Sequence, residues 1–195
     1  MSNEAIIIAG ANGSGKTTFA KLFVAEHPFA FVNADEIAKK IALAEPDNTM
    51  IKAGKLFFKQ IDTLIAGNKN LIIESTLSGR SLLNLIKRIK DKGYIVRIIY
   101  IFLETSDICI ERIKERVRKG GHFVPDTDVI RRFHRSKKNF WNFYREEVDE
   151  WFLIHNSQQQ FVELAFGSRN EFSINDSVLF ERFIKDIQEG VHESQ

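Results

Sequence analysis

The segment "GANGSGKTT", residues 10–18, follows the apolar run "AIIIA" at residues 5–9. It matches G-x-x-x-x-G-K-[ST] at every defined position, with Gly10, Gly15 and Lys16 followed by Thr17. The apolar run before the segment and the amphipathic stretch after it supply the strand and helix that this motif requires. The segment therefore predicts a P-loop, in which backbone N–H groups and a helix N-terminus bind phosphates.

The residues of this loop have predicted roles toward ATP and Mg²⁺. Lys16 is expected to reach the β- and γ-phosphates, and the Thr17 hydroxyl is expected to hold Mg²⁺. The predicted ATP-binding residues are Gly10, Ala11, Asn12, Gly13, Ser14, Gly15, Lys16, Thr17 and Thr18.

Apolar, β-branched runs alternate with helical patterns along the rest of the chain. Strands are predicted at residues 5–9, 29–33, 71–74, 94–103 and 151–155. Helices are predicted after Lys16 and at about residues 49–66, 81–92, 107–117, 127–148 and 177–188. Residues 166–177 are expected to form a surface loop. The pattern predicts an α/β P-loop NTPase fold, with a parallel sheet of about five strands and helices on both faces.

Length and composition favour one cytoplasmic domain that spans residues 1–195. The formal net charge of +2 is too small to indicate a nucleic-acid partner, and Cys109 is the only cysteine in the sequence. No apolar run approaches the roughly 20 residues of a membrane span. The start "MSNEAIII" lacks the basic region of a signal peptide.

Polar side chains follow the second and third predicted strands, at the sheet edge where ligands bind in open α/β sheets. Asp35 could accept the proton of a hydroxyl that attacks the γ-phosphate, or it could cap a helix that begins at Glu36. Glu74 is interpreted as a metal-shell acid or as a hydrogen-bonding group for the acceptor, with Thr76 as a neutral contact beside it. Capping of the following helix is the alternative for this pair.

The segment at residues 111–136 is strongly basic, and two predicted helices in it are joined by "KGGHFVP". We interpret residues 112–136 as a basic helical lid. An arginine in a lid can neutralise the charge that spreads over a transferring phosphoryl group. A solvated basic face is the alternative. The arginines are Arg112, Arg116, Arg118, Arg131, Arg132 and Arg135.

Five segments of the chain resemble the zeta toxin family of P-loop kinases, most closely its stand-alone chromosomal branch. They are "GANGSGKTT", "VNADEIA", "LIIEST", "ERVRKGGHFVP" and "IRRFHRS", in this order. The resemblance covers roughly residues 5–160. It implies phosphoryl transfer from ATP to a hydroxyl, which in the best-known members is the 3′-hydroxyl of the sugar in UDP-N-acetylglucosamine.

The same resemblance implies roles for individual residues. Asp35 would be the base, and Glu74 and Thr76 would contact the acceptor. The clamp on the transferring phosphate would consist of Arg118 and one of Arg131 or Arg132. Adenine would lie near residues 155–159, with Asn156 and Ser157 as its contacts.

The sequence thus predicts a small-molecule kinase that uses ATP and Mg²⁺. One alternative is a nucleoside or nucleic-acid-end kinase, whose basic lid would bind an acceptor phosphate. The other is an ATP-binding switch or hydrolase that acts through a protein partner. An antitoxin partner, which the resemblance also suggests, would be encoded elsewhere.

Overall fold

The computed structural model describes residues 2–44, 49–157, 160–169 and 171–189. Its centre is a seven-stranded sheet in the order β2-β3-β1-β4-β5-β6-β7. The strands are β1 (Glu4–Ala9), β2 (Ala30–Asn33), β3 (Leu71–Ser75), β4 (Ile95–Phe102), β5 (Glu150–Ser157), β6 (Gln160–Gly167) and β7 (Phe172–Ile174). The helices are α1 (Lys16–Glu26), α2 (Ala34–Ala44), α3 (Thr49–Ala66), α4 (Ser81–Asp91), α5 (Ser106–Arg118), α6 (Asp126–Asn139), α7 (Arg145–Glu147) and α8 (Ser177–Glu189).

The first five strands of the sheet are parallel, as predicted for a P-loop NTPase fold. The strands β6 and β7 extend this sheet in antiparallel pairing beyond β5. The expected surface loop at residues 166–177 is therefore wrong, because the end of β6 and all of β7 fall within it. All three residues of β7 are exposed, so the segment shows no alternation of buried and exposed side chains.

The strand β1 explains why both faces of the sheet carry helices. Ala5, Ile7 and Ala9 belong to a core that also contains side chains of α3, α4 and α8. Ile6 and Ile8 point to the other face, in a core that includes side chains of α1. A strand that is buried on both faces reads as a continuous apolar run, and this is the pattern of "AIIIA".

The helices of the basic segment, α5 and α6, pack against each other and against the P-loop. Ala11 of the loop shares a buried cluster with Cys109 and Ile113 of α5 and with Val129 and Phe133 of α6. The helix predicted over residues 127–148 is confirmed in its extent, since α6, a π-helical segment (Phe140–Tyr144) and α7 follow one another without a break. Such segments are frequent beside functional sites.

None of the helices in the described ranges is long and apolar enough to cross a membrane.

Candidate active site

The loop between β1 and α1 depends on its glycines. Gly13 and Gly15 have φ angles of 83° and 100°, in the left-handed region that other residues rarely adopt. A Cβ atom at Gly13 would lie 2.6 Å from the carbonyl oxygen of Cys109. At Gly15 it would lie 2.3 Å from Nδ2 of Asn156. No side chain fits at either position, so the loop keeps the tight turn that a phosphate site needs.

The phosphate-binding groups of the loop are in place. The helix α1 begins at Lys16, and its N-cap, Gly15, has no side chain that could occupy the first-turn N–H groups. The Lys16 ammonium is buried and donates to the carbonyl oxygen of Ala11 at 2.8 Å. Within the described part of the chain, the buried Ser14 hydroxyl has no hydrogen-bond partner. These donors fit the phosphates of a nucleotide.

Burial lowers the pKa of Lys16 below its ordinary value. The carboxylates of Glu74 and Asp35 oppose this lowering, whereas the positive charge of Arg116 adds to it. Of these residues, Glu74 also contacts the loop directly, through the Thr17 hydroxyl.

A hydrogen-bonded group of three side chains lies at the start of α1. The Thr17 hydroxyl donates to one carboxylate oxygen of Glu74 at 3.0 Å, and the Asn33 amide donates to the other at 2.7 Å. Burial raises the pKa of Glu74, while the Lys16 charge and the two hydrogen bonds oppose that effect. Hydroxyl and carboxylate oxygens are the ligands that Mg²⁺ prefers. Thr17 and Glu74 therefore fit the predicted ion.

The N-terminus of α2 determines what Asp35 is free to do. The helix begins at Ala34, and the Asn33 side-chain oxygen accepts from the backbone N–H groups of Asp35 at 2.7 Å and Glu36 at 3.3 Å. Asn33 is thus the cap, and the alternative in which Asp35 caps a helix from Glu36 is wrong. The Asp35 side chain is exposed at the carboxyl end of the sheet.

Two adjacent arginines of α6 have different surroundings. Arg132 donates to the Asn12 side-chain oxygen in the P-loop at 3.4 Å, and its side chain is 30% exposed. Arg131 pairs with Asp128 at 2.7 Å, and its side chain is 52% exposed. The geometry therefore favours Arg132 for the predicted clamp. Arg118 is exposed at the last position of α5, and its predicted contact stays a prediction.

The predicted adenine contacts lie inside β5 instead of after it. Asn156 is buried, and its amide donates to the Ser14 carbonyl oxygen at 2.8 Å. Its own backbone carbonyl accepts from Arg112 at 3.2 Å. Asn156 thus supports the P-loop directly, while Ser157 is exposed at the end of the strand. Residues 158 and 159 lie outside the described ranges.

Thr76 and Thr18 complete the set of predicted residues. Thr76 follows β3, beside Glu74, and its hydroxyl lies 2.9 Å from the Ser78 hydroxyl. Thr18 is exposed on the first turn of α1.

Sequence reasoning did not select Asn33 or assign a role to Arg116. Asn33 was detectable, because asparagine is as favourable as aspartate at an N-cap. Arg116 was noted only among the basic residues of the lid. Its effect on the pKa of Lys16 depends on how α5 packs, which no local pattern reports.

We expect Lys16→Ala to weaken ATP binding by about 10- to 100-fold, because a charge-assisted contact to phosphate is lost. Isothermal calorimetry with ATP and Mg²⁺ measures this change. Lys21→Ala is the matched control, since Lys21 is exposed on the same helix. Unchanged affinity in Lys16→Ala would show that the loop does not bind the nucleotide phosphates.

Mg²⁺ is expected to increase ATP affinity in the wild type. We expect this increase to be smaller by a factor of about 10 or more in Glu74→Gln, the usual cost of a lost carboxylate that supports a metal. Glutamine keeps an oxygen for the Thr17 hydroxyl but removes the negative charge. The measurement is ATP affinity with and without Mg²⁺. If Mg²⁺ increases ATP affinity equally in Glu74→Gln and in the wild type, Glu74 does not support the ion and its predicted role is only a contact with the acceptor.

This chain resembles one protein in sequence and several solved structures in fold. An uncharacterized protein of Haemophilus influenzae is 35% identical over 131 residues, which are 67% of this chain and 92% of the relative.

Two solved structures show the same fold. A chain of the AvrRxo1-ORF1:-ORF2 complex superposes with a TM-score of 0.73 at 16% identity, over 93% of this chain. This chain spans 63% of that chain's length. The same complex has been solved with ATP. A chain of the PezAT toxin-antitoxin system of Streptococcus pneumoniae superposes with a TM-score of 0.60 at 16% identity, over 98% of this chain and 88% of that one.

The family is shown by sequence. The model of an AAA domain family, AAA_33, matches residues 6–139. This match covers more than half of the chain and includes the P-loop, β3 and the helices α5 and α6, within a kinase-like P-loop fold. The protein therefore belongs to the AAA domain family AAA_33.

Proposed function

We propose that this protein transfers the γ-phosphate of ATP to a hydroxyl group of a small-molecule acceptor. The observation that carries the proposal is the hydrogen-bonded link from Asp35 to the P-loop, in which Asn33 accepts from the Asp35 backbone N–H and donates to Glu74, and Glu74 accepts from Thr17. Its carboxylate is exposed and is not needed as a helix cap, because Asn33 caps α2. After burial, which is the main cause, the Asp35 charge also contributes to the raised pKa of Glu74.

The reaction that this arrangement supports is a direct displacement at phosphorus. The acceptor oxygen attacks the γ-phosphorus, and the bond from that phosphorus to the bridging oxygen of ADP breaks. The hydroxyl proton passes to Asp35, which acts as the general base. Lys16 and the loop N–H groups hold the phosphates in line for the attack.

Two further groups act on the charge of the transferring phosphate. Thr17 and Glu74 would hold Mg²⁺, which would supply positive charge that stabilises the transferring phosphate. Arg132 contacts the loop at Asn12. An arginine supplied by the same chain stabilises the equatorial oxygens of the phosphoryl group in the transition state. Arg118 is proposed as a second member of this clamp.

For the acceptor, we propose a UDP-amino sugar, with Glu74 and Thr76 as its contacts. Support comes from the resemblance to the zeta toxin family and from the fold shared with the PezAT chain. We also propose that residues 1–195 act as one domain with a lid at residues 112–136. We also propose an antitoxin-like partner for this chain. The support is that AvrRxo1-ORF1 was solved as a complex with ORF2 and that PezAT is a toxin-antitoxin system.

The test is incubation of the protein with ATP, Mg²⁺ and a polar metabolite extract, followed by mass spectrometry. The expected result is one small molecule that gains the mass of a phosphoryl group. UDP-N-acetylglucosamine, a nucleoside mixture and an oligonucleotide with a free 5′-hydroxyl are tested separately. Lys16→Ala is the control. Release of inorganic phosphate without any phosphorylated acceptor would overturn the proposal.

A further inference from the structure

One face of α6 and the π-helical segment after it carries four side chains at spacings of four, three and four residues. They are Arg132, Ser136, Asn139 and Phe143. Side chains at such spacings share one stripe of a helix. Each of the four contacts a segment that borders the proposed site, either the P-loop or the loop that follows β3.

Three side chains of this region donate to successive parts of the loop between β3 and α4. The Ser136 hydroxyl donates to the Thr76 carbonyl oxygen at 2.5 Å, and the Asn139 amide donates to the Leu77 carbonyl oxygen at 2.8 Å. The Tyr144 hydroxyl donates to the carbonyl oxygen of Gly79 at 2.7 Å. The backbone of residues 76–79, which we name the acceptor loop, is thus bound from one side.

One residue of the acceptor loop has an unfavourable backbone conformation. Leu77 has a φ of 51°, in the left-handed region that a residue with a branched, bulky side chain seldom adopts unless its surroundings impose it. Its side chain is buried in the main core. The Arg80 guanidinium at the end of the loop lies 3.8 Å from the centre of the Phe143 ring.

The same helix also contacts the nucleotide side of the site. Arg132, one turn before Ser136, donates to Asn12 in the P-loop. A single rigid element therefore touches the loop that binds ATP and the loop that carries Thr76. A displacement of about 1 Å between two reacting groups can cost about 100-fold in rate, so their relative position matters.

We propose that Ser136 and Asn139 are positioning residues, which hold the acceptor loop in register with the P-loop. The proposal rests on the proposed function, because Thr76 is predicted to contact the acceptor. With the loop carbonyls bound to α6, the hydroxyl pair of Thr76 and Ser78 is the part that hydrogen-bonds a polar acceptor. Ser78 is thereby assigned as a further specificity residue.

The test compares Ser136→Ala and Asn139→Ala with the control Tyr100→Phe. The Tyr100 hydroxyl donates to the Ser136 hydroxyl at 2.8 Å and is fully buried in the same network. Tyr100→Phe removes only this bond, whereas Ser136→Ala removes both this bond and the bond from Ser136 to the Thr76 carbonyl oxygen. A difference between the two variants therefore reports the contact of Ser136 with the acceptor loop.

The first measurement is phosphate transfer as a function of dilution of the polar metabolite extract, at saturating ATP. Ser136→Ala and Asn139→Ala are expected to raise the half-saturating amount of extract by about 3- to 10-fold, the equivalent of one lost hydrogen bond. The half-saturating ATP concentration should stay within about 2-fold, and Tyr100→Phe should match the wild type. Equal half-saturation in the wild type, Ser136→Ala and Asn139→Ala would overturn the proposal.

The second measurement is hydrogen exchange of the peptide that covers residues 76–80, in the protein with a non-hydrolysable ATP analogue and Mg²⁺. Exchange should be about 3- to 10-fold faster in Ser136→Ala and Asn139→Ala than in Tyr100→Phe, with the P-loop peptide unchanged. Equal rates in all three would overturn the proposal. This measurement needs no acceptor, so it decides the positioning role even if the wild type transfers no phosphate.

Discussion

Asp35→Asn is expected to lower the rate of phosphate transfer by about 10²- to 10⁴-fold, the usual contribution of a general base. Asparagine keeps the size of the side chain and an oxygen that can accept a hydrogen bond, but it cannot take the acceptor proton. ATP affinity and the melting temperature should change little. The cap of α2 is Asn33, so the substitution removes no capping contact.

Glu36→Gln is the matched control for Asp35→Asn. Glu36 is the next residue on the first turn of α2, it is also exposed, and its backbone N–H bonds to the same Asn33 oxygen. The loss of the Glu36 charge should leave the transfer rate within about 2-fold of the wild-type rate, because an exposed surface charge contributes little to interactions in the folded protein. If Asp35→Asn transfers phosphate at the wild-type rate, Asp35 is not the base.

Arg132→Ala is expected to lower the maximal transfer rate by about 10³-fold or more, in the range found for arginines that act on a transferring phosphoryl group. The ATP affinity should fall much less, because the guanidinium is needed mainly when charge develops in the transition state. Steady-state kinetics together with calorimetry separates these two effects.

Arg131→Ala is the control for Arg132→Ala, because the two residues are adjacent and both pair with Asp128. Only Arg132 reaches the P-loop through Asn12. Arg131→Ala should therefore retain most of the activity. Equal losses in both variants would point to their shared partner, Asp128, instead of to the phosphate. Full activity in Arg132→Ala would support the alternative in which the arginines of α6 only form a solvated basic face.

The parts of the fold that sequence could predict are those with local causes. The P-loop follows from a motif that needs glycine at fixed positions, and the five parallel strands follow from apolar runs that are buried on both faces. The strand β7 could not be recognised, because its three residues are all exposed. It exists through pairing with β6, which is a non-local cause.

The same division applies to the candidate site. Lys16, Thr17, Asp35 and Glu74 stand at predictable strand and helix ends, so sequence reasoning selected them. The choice between Arg131 and Arg132 could not be made, because adjacent helix residues differ by about 100° in direction and only packing decides which one faces the P-loop. Phe133 is buried in the cluster with Ala11, and this packing fixes the rotation of α6 about its axis.

The same dependence on packing explains why the sequence left open the alternative in which Asp35 caps the helix. Aspartate and asparagine are both favourable N-caps, and "NAD" contains one of each. Which of them caps α2 depends on where the helix begins. The observed start at Ala34 leaves Asn33 as the cap and frees the Asp35 carboxylate.

The most direct test of the central claim follows the fate of the γ-phosphate in water enriched in the heavy oxygen isotope. The protein is supplied with ordinary ATP, Mg²⁺ and the polar metabolite extract, and each phosphorylated product is analysed by mass spectrometry. Transfer to an acceptor hydroxyl predicts a phosphate ester without heavy oxygen, formed at the rate at which ADP appears. Formation of ADP accompanied only by inorganic phosphate that contains one heavy oxygen would contradict the account, because the nucleophile would then be water.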